Sequence, residues 1–190
     1  MFMKITVPEN ISDITLGQSQ KYERMIKNKD LSNEEFLNEL VSIFSNVSKD
    51  VVSSIVVKDK LELQVDIIKA LETECEYKNR FHIGKQEFGM IPNFDKITGN
   101  EYTDLQKYQE HSDDLHRLFA ILYRPITKTD KSGNYQIEDY VGTSTYSELM
   151  KQTPMNIVHG CLGFFLSLSK TLDLVTLRSI HQEHQRVAVL

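Results

Sequence analysis

Tryptophan is absent from this 190-residue chain and cysteine is scarce, Cys75 and Cys161 standing far apart without CxxC spacing. That pattern leaves no disulfide framework and no paired-cysteine motif, and it fits a reducing compartment. Cys161 lies in an apolar stretch, where a thiol behaves as a small hydrophobe. A basic stripe is missing as well. The net charge is −5 and the 22 Lys and Arg are scattered, which argues against general binding to a phosphate backbone. Long apolar runs are also lacking. The most hydrophobic stretch, Met155 to Leu168, is interrupted by His159 and Ser167. It falls short of the roughly 18 to 20 residues a spanning helix needs, so it reads as a buried core helix and no membrane association is expected. Met1 to Val7 is too short and polar for a signal peptide, which points to synthesis in the cytoplasm. What remains is globular composition, 40% hydrophobic and 26% charged. Such a chain is not disordered throughout, and at this length it buries a substantial core without a covalent staple.

Along the chain, Met3 to Val7 alternates lightly and ends at Pro8, which predicts a short edge strand. Thr15 with Gln18, Ser32 with Glu35 and Thr98 with Glu101 have capping-box spacing. They predict helices over 15–28, from Ser32 onward and through Tyr108. In the second of these, Leu37, Leu40, Val41 and Phe44 give the i, i+3, i+4, i+7 stripe of an amphipathic helix. Ser48 caps a short helix through Val56, and Val57, Leu61, Val65, Ile68 and Leu71 carry another to about Glu74. Arg80 to Pro92, with aromatic and β-branched residues and two glycines, favours a hairpin or extended segment. Leu115, Leu118, Phe119 and Leu122 predict a helix begun at Ser112 and stopped by Pro125. Ile126–Lys128 and Tyr135–Tyr140 flank a turn-rich Asp130–Asn134, a second hairpin signal. Thr145 to Lys151 makes a short helix. Thr153-Pro154 then opens a long final one, to about residue 184, whose stripe is Val158, Leu162, Phe165, Leu168, Leu172 and Val175. No repeat, low-complexity tract or linker divides the chain. The fold class is mainly α (α+β): one domain over 1–190, with about six to seven helices and one or two short β-hairpins.

Candidates for chemistry are few. Gly160 and Gly163 sit inside a helical pattern, outside the strand–turn–helix setting of a dinucleotide fingerprint, and read as close-packing positions. His181 and His184 can share a helix face and hold a metal between them. A catalytic zinc usually needs a third ligand, and the bland reading is a polar helix end whose histidines face the C-terminal dipole. His111, Asp113, Asp114 and His116 read as a helix start, with His116 on the polar side. Asp95 belongs to a Pro-Asn-Phe-Asp turn. No Gly-x-Ser-x-Gly elbow or Cys–His pairing is present. The expectation is a non-enzyme without cofactors. A metal-binding enzyme or regulator built on His181 and His184 is the alternative of another class.

Several stretches taken together carry a resemblance. They are Ile14–Tyr22, Phe88–Thr98 with Glu101–Leu105, Leu118–Ile126, Tyr135–Thr143, and Pro154-Met155 leading into the apolar helix. This order resembles small structural-module proteins of tailed bacteriophages, notably phages of Bacteroidetes hosts including crAss-like phages. The resemblance spans most of the chain and carries no catalytic residues. It implies a morphogenesis protein acting by protein–protein contact in the host cytoplasm, most simply a tail assembly chaperone. A structural head–tail ring component retained in the virion is the second reading. Phage structural proteins, or further copies of the chain, are the implied partners. The residues expected to meet a partner are Phe81, Phe88, Met90, Ile91 and Phe94, with Val187 and Leu190 at the apolar C-terminal end. The competing reading is that the loop-region aromatics simply cover the core.

Overall fold

Local capping chemistry sets where the helices begin. The computed structural model describes residues 5–72 and 75–165. Thr15, Ser32 and Thr98 each form a reciprocal capping box, with Gln18, Glu35 and Glu101 respectively. Each box satisfies two amide donors that the first helical turn would otherwise leave bare. They open α1 (Leu16–Lys27), α2 (Asn33–Ser45) and, later, α5 (Gly99–Tyr108). In α2 the predicted stripe Leu37, Leu40, Val41 and Phe44 is buried, and Asn46 closes the helix in the left-handed region at φ 56°. A short α3 (Lys49–Ser53) follows, ending earlier than expected and without a side-chain cap from Ser48. The next helix, α4, runs Val57–Leu71.

The predicted hairpins form as halves of one antiparallel sheet, in the order β1 (Arg80–Ile83), β2 (Gln86–Met90), β3 (Tyr123–Thr129) and β4 (Tyr135–Ile137). In register, Phe81 faces Phe88 and Phe88 faces Pro125, while Gly89 faces Arg124. Gly89 has to be glycine: a Cβ there would lie 2.4 Å from the ring of Tyr135, which lies across it from β4. Between β2 and β3 the chain passes through α5 and α6 (Leu115–Leu122). Pro125 stops α6 as expected. The helix stops at Leu122 and turns directly into β3, with Pro125 inside the strand. The physical reason is that a residue preceding proline is driven out of the helical region, so Arg124 is already extended.

After β4 come α7 (Ser147–Met150) and a helical segment, 155–165. The expected N-terminal strand is not found in its described part, since Ile5 to Val7 have no strand pairing. Instead Thr15 bridges Pro154, with Leu16 N–H donating to Thr153 C=O and Met155 N–H to Ile14 C=O, both at 2.8 Å. This clasp brings the first helix against the last described segment. The core between sheet and helices contains Ile14, Phe44, Phe88, Phe119, Tyr123, Met150, Val158 and Cys161. The protein is thus mixed α+β and mainly helical, as its periodicity predicts. Among the described residues no helix is long and apolar enough to cross a membrane.

Candidate functional site

The feature that stands out is the outward face of α4. At about 100° per residue, Val57, Leu61, Val65 and Ile68 fall within one arc of roughly 80°. Sequence periodicity places them on one helix face, and the fold turns that face to solvent. They are 58%, 49%, 50% and 44% exposed. The side of α4 that meets the core is a different set, Ile67 and Ala70 fully buried with Leu63 and Leu71 partly so. This exposure has a simple cause. Apolar residues occupy roughly 200° of this helix, about twice the stripe that a one-sided surface helix needs, so one half is left without a partner among the described residues.

Beside this face runs a groove of about 580 Å³ between α2 and α4, lined by Asn33, Glu34, Phe36, Leu37, Val57, Lys60, Leu61 and Gln64. Lys60 is only 1% exposed. Its Nζ donates to Asn38 Oδ1 at 2.8 Å, and among the described residues it has no carboxylate partner. The flank of the face carries Lys58 with Glu62 and Lys69 with Asp66, at 3.9 and 3.6 Å, as solvent-exposed pairs of small energetic weight.

The contact residues expected from the sequence are distributed otherwise. Phe81, Phe88, Met90 and Ile91 are buried and do not form a patch. The Phe81 ring stacks on Phe88 at 5.9 Å and meets the edge of Tyr123 at 5.1 Å. The hairpin they form lies within the sheet, so pairing turns these side chains inward and the core-covering alternative holds for them. Phe94 alone of the five is exposed, at 38%. It borders an apolar groove of about 650 Å³ with Ile97, Tyr102, Leu105, Leu118, Leu162 and Phe165. Val187, Leu190, His181 and His184 lie outside the described residues.

No group of three or more His, Cys, Asp or Glu placed to hold a metal occurs among the described residues. Asp113 and Asp114 lie in the 3₁₀ turn that leads into α6, as a helix start requires, and pair with Arg24 and Arg117 at 3.7 and 3.5 Å. His116 is not on the polar side as expected. It is buried, its Nδ1 3.2 Å from Gln20 Nε2, and burial together with Lys151 and Arg117 lowers its pKa. Cys161 is buried as well, its thiol pushed up to about 11 by desolvation, which leaves it neutral and unreactive. Gly160 is a close-packing position, since a Cβ there would lie 2.3 Å from the Glu76 carbonyl oxygen; Gly163 faces open space.

A polar cleft of about 620 Å³ beside β4 holds the one ion pair among the described residues whose two side chains are both buried. Arg124 Nη2 donates to Glu101 Oε1 at 2.6 Å with both side chains buried, and among the described residues Arg124 Nε has no hydrogen-bond partner. Comparison with protein-family models, with curated proteins and with solved structures finds no match for the chain.

Proposed function

We propose that the protein is a binding module that acts through protein–protein contact, with the outward face of α4 as its principal surface. The observation that carries this reading is the exposed row Val57, Leu61, Val65 and Ile68 on a helix whose other side is packed in the core. Four aliphatic side chains in one line, next to a groove, are the anchors a partner helix or strand would cover. The helix is held in place by Ile67 and Ala70, so the face is presented rigidly and binding orders little that is not already ordered. The setting we propose is bacteriophage morphogenesis, most simply as a tail assembly chaperone in the host cytoplasm. It rests on the sequence resemblance, as does the second reading of a head–tail ring component.

Cross-linking in infected cells tests the surface. Lys58 and Lys69 flank it and supply reactive amines. Cross-links from these lysines to a phage structural protein are expected, and they should disappear when Leu61 and Val65 are both changed to Gln. Partner cross-links confined to other faces would remove α4 as the surface. Mass spectrometry of purified virions separates the two settings, because stoichiometric recovery of the intact chain favours the ring component over the chaperone.

A further inference from the structure

We infer that the partner of the α4 face is an acidic amphipathic helix, one that brings a carboxylate to Lys60. The inference rests on the reading of α4 as a contact surface and adds the chemistry of what binds there. The row from Val57 to Ile68 covers about 16 Å at 1.5 Å per residue, three turns in a straight line, which is the footprint of a helix laid along a groove. The sign of the partner follows from Lys60. An ammonium carries three donors and a full charge, and lysine is almost never fully buried unless paired. Here it is 1% exposed and has, among the described residues, one neutral partner, Asn38 Oδ1. A cation so placed is under-compensated in the free protein and would gain from an incoming carboxylate. Its four-carbon stem lets the ammonium swing toward that group without backbone movement.

The other charges beside the row balance one another, Lys58 and Lys69 against Glu62 and Asp66, so the sign of the partner rests on Lys60. Glu34 is the one acid lining the groove, and it sits in the first turn of α2, where the helix dipole already compensates it. A second copy of the chain is disfavoured as the occupant. In isologous pairing the acid that the groove itself offers to a facing Lys60 is Glu34, which the α2 dipole already compensates.

The test uses purified full-length protein and three synthetic helical peptides that share one leucine stripe. They differ at a single stripe-flanking position, which is Glu, Gln or Lys, and binding is read by fluorescence anisotropy. The Glu peptide should bind about tenfold or more tighter than the Gln peptide, the worth of one charge-assisted hydrogen bond, with the Lys peptide weakest. Lys60→Met should bring the Glu-to-Gln ratio to about one while keeping the Gln peptide's affinity, a readout that a purely structural lysine would not move. A circular-dichroism melt confirms that the variant is folded. Equal binding of Glu and Gln peptides to the unaltered protein overturns the acidic partner and leaves the α4 surface standing. If no peptide binds, or if changing Leu61 and Val65 to Gln has no effect on binding, both fall. A dimer in sedimentation that those same substitutions dissolve would make a second copy the occupant and overturn the proposal.

Discussion

Arg124 on β3 donates from Nη2 to one carboxylate oxygen of Glu101 at 2.6 Å, and the other oxygen of that carboxylate accepts the Thr98 N–H at 2.7 Å. One side chain therefore caps α5 and neutralises a buried cation on the neighbouring sheet. Glu101→Gln separates the two roles, because glutamine still serves as the third residue of a capping box but carries no charge. The expected cost is about 3–5 kcal/mol, the usual result of leaving one partner of a buried pair uncompensated. Urea denaturation measures it. Adding Arg124→Met should recover a large part of the loss, and a double variant no more stable than Glu101→Gln alone would contradict the pairing.

The two faces of α4 should respond oppositely to truncation. Ile67→Ala removes fully buried volume and should cost about 2–5 kcal/mol. Leu61→Gln, on the exposed row, should stay within about 0.5 kcal/mol of the parent. Denaturation midpoints of the two variants decide the matter, and a large loss for Leu61→Gln would mean that the row is covered within the chain.

These contrasts mark where the fold can be read from sequence. Thr15, Ser32 and Thr98 announce their helices because capping is chemistry between residues three apart. The stripe in α2 and the row in α4 both follow the helical period, yet Leu40 is buried and Leu61 is not. Periodicity says which residues share a face, and only the neighbouring elements decide which face is covered. Phe88 and Met90 are readable as part of a hairpin, but the choice between core and partner contact depends on β3, more than thirty residues downstream. The Arg124–Glu101 pair spans 23 residues and has no local signal at all.

Lys60 gives a prediction about stability in the absence of any partner. Methionine matches its length without the charge, and it removes a buried ammonium that has one neutral partner. Lys60→Met should raise stability by about 1 kcal/mol or more, since an uncompensated buried charge costs more than an apolar side chain of similar shape. A lower urea midpoint for this variant would show that Asn38 alone compensates the cation.

His116 makes stability depend on pH in a defined direction. Burial, then Lys151 and Arg117, depress its folded-state pKa below the ordinary value of about 6.5. Above that value both folded and unfolded chains carry neutral imidazole, and the residue contributes no slope. Below it the unfolded chain binds a proton that the folded chain resists, so stability falls with pH until the depressed folded value is reached. In His116→Gln that portion of the slope should disappear. Melting temperatures from pH 7.5 down to about 5 check this, and a slope identical in the two proteins would assign the pH dependence to other groups.

Gly160 and Gly163 lie in the same helical segment and should tolerate a methyl group very differently. At Gly160 a Cβ would stand 2.3 Å from the Glu76 carbonyl oxygen and 3.0 Å from Tyr77 Cα, both backbone atoms that no rotamer change can move. Gly160→Ala must push the helix off the 76–77 segment, at a cost of about 1–3 kcal/mol or more. Cys161, the neighbouring core thiol, then reports the displacement. Buried and neutral in the parent, it should become reactive to a thiol reagent in Gly160→Ala under conditions where the parent's Cys161 does not react. At Gly163 nothing among the described residues lies within 4 Å of the added atom. There alanine only restricts the unfolded chain and improves helix propensity, so Gly163→Ala should stabilise by up to about 1 kcal/mol. Equal effects at the two positions would mean that the contact between the helix and Glu76 does not hold in solution.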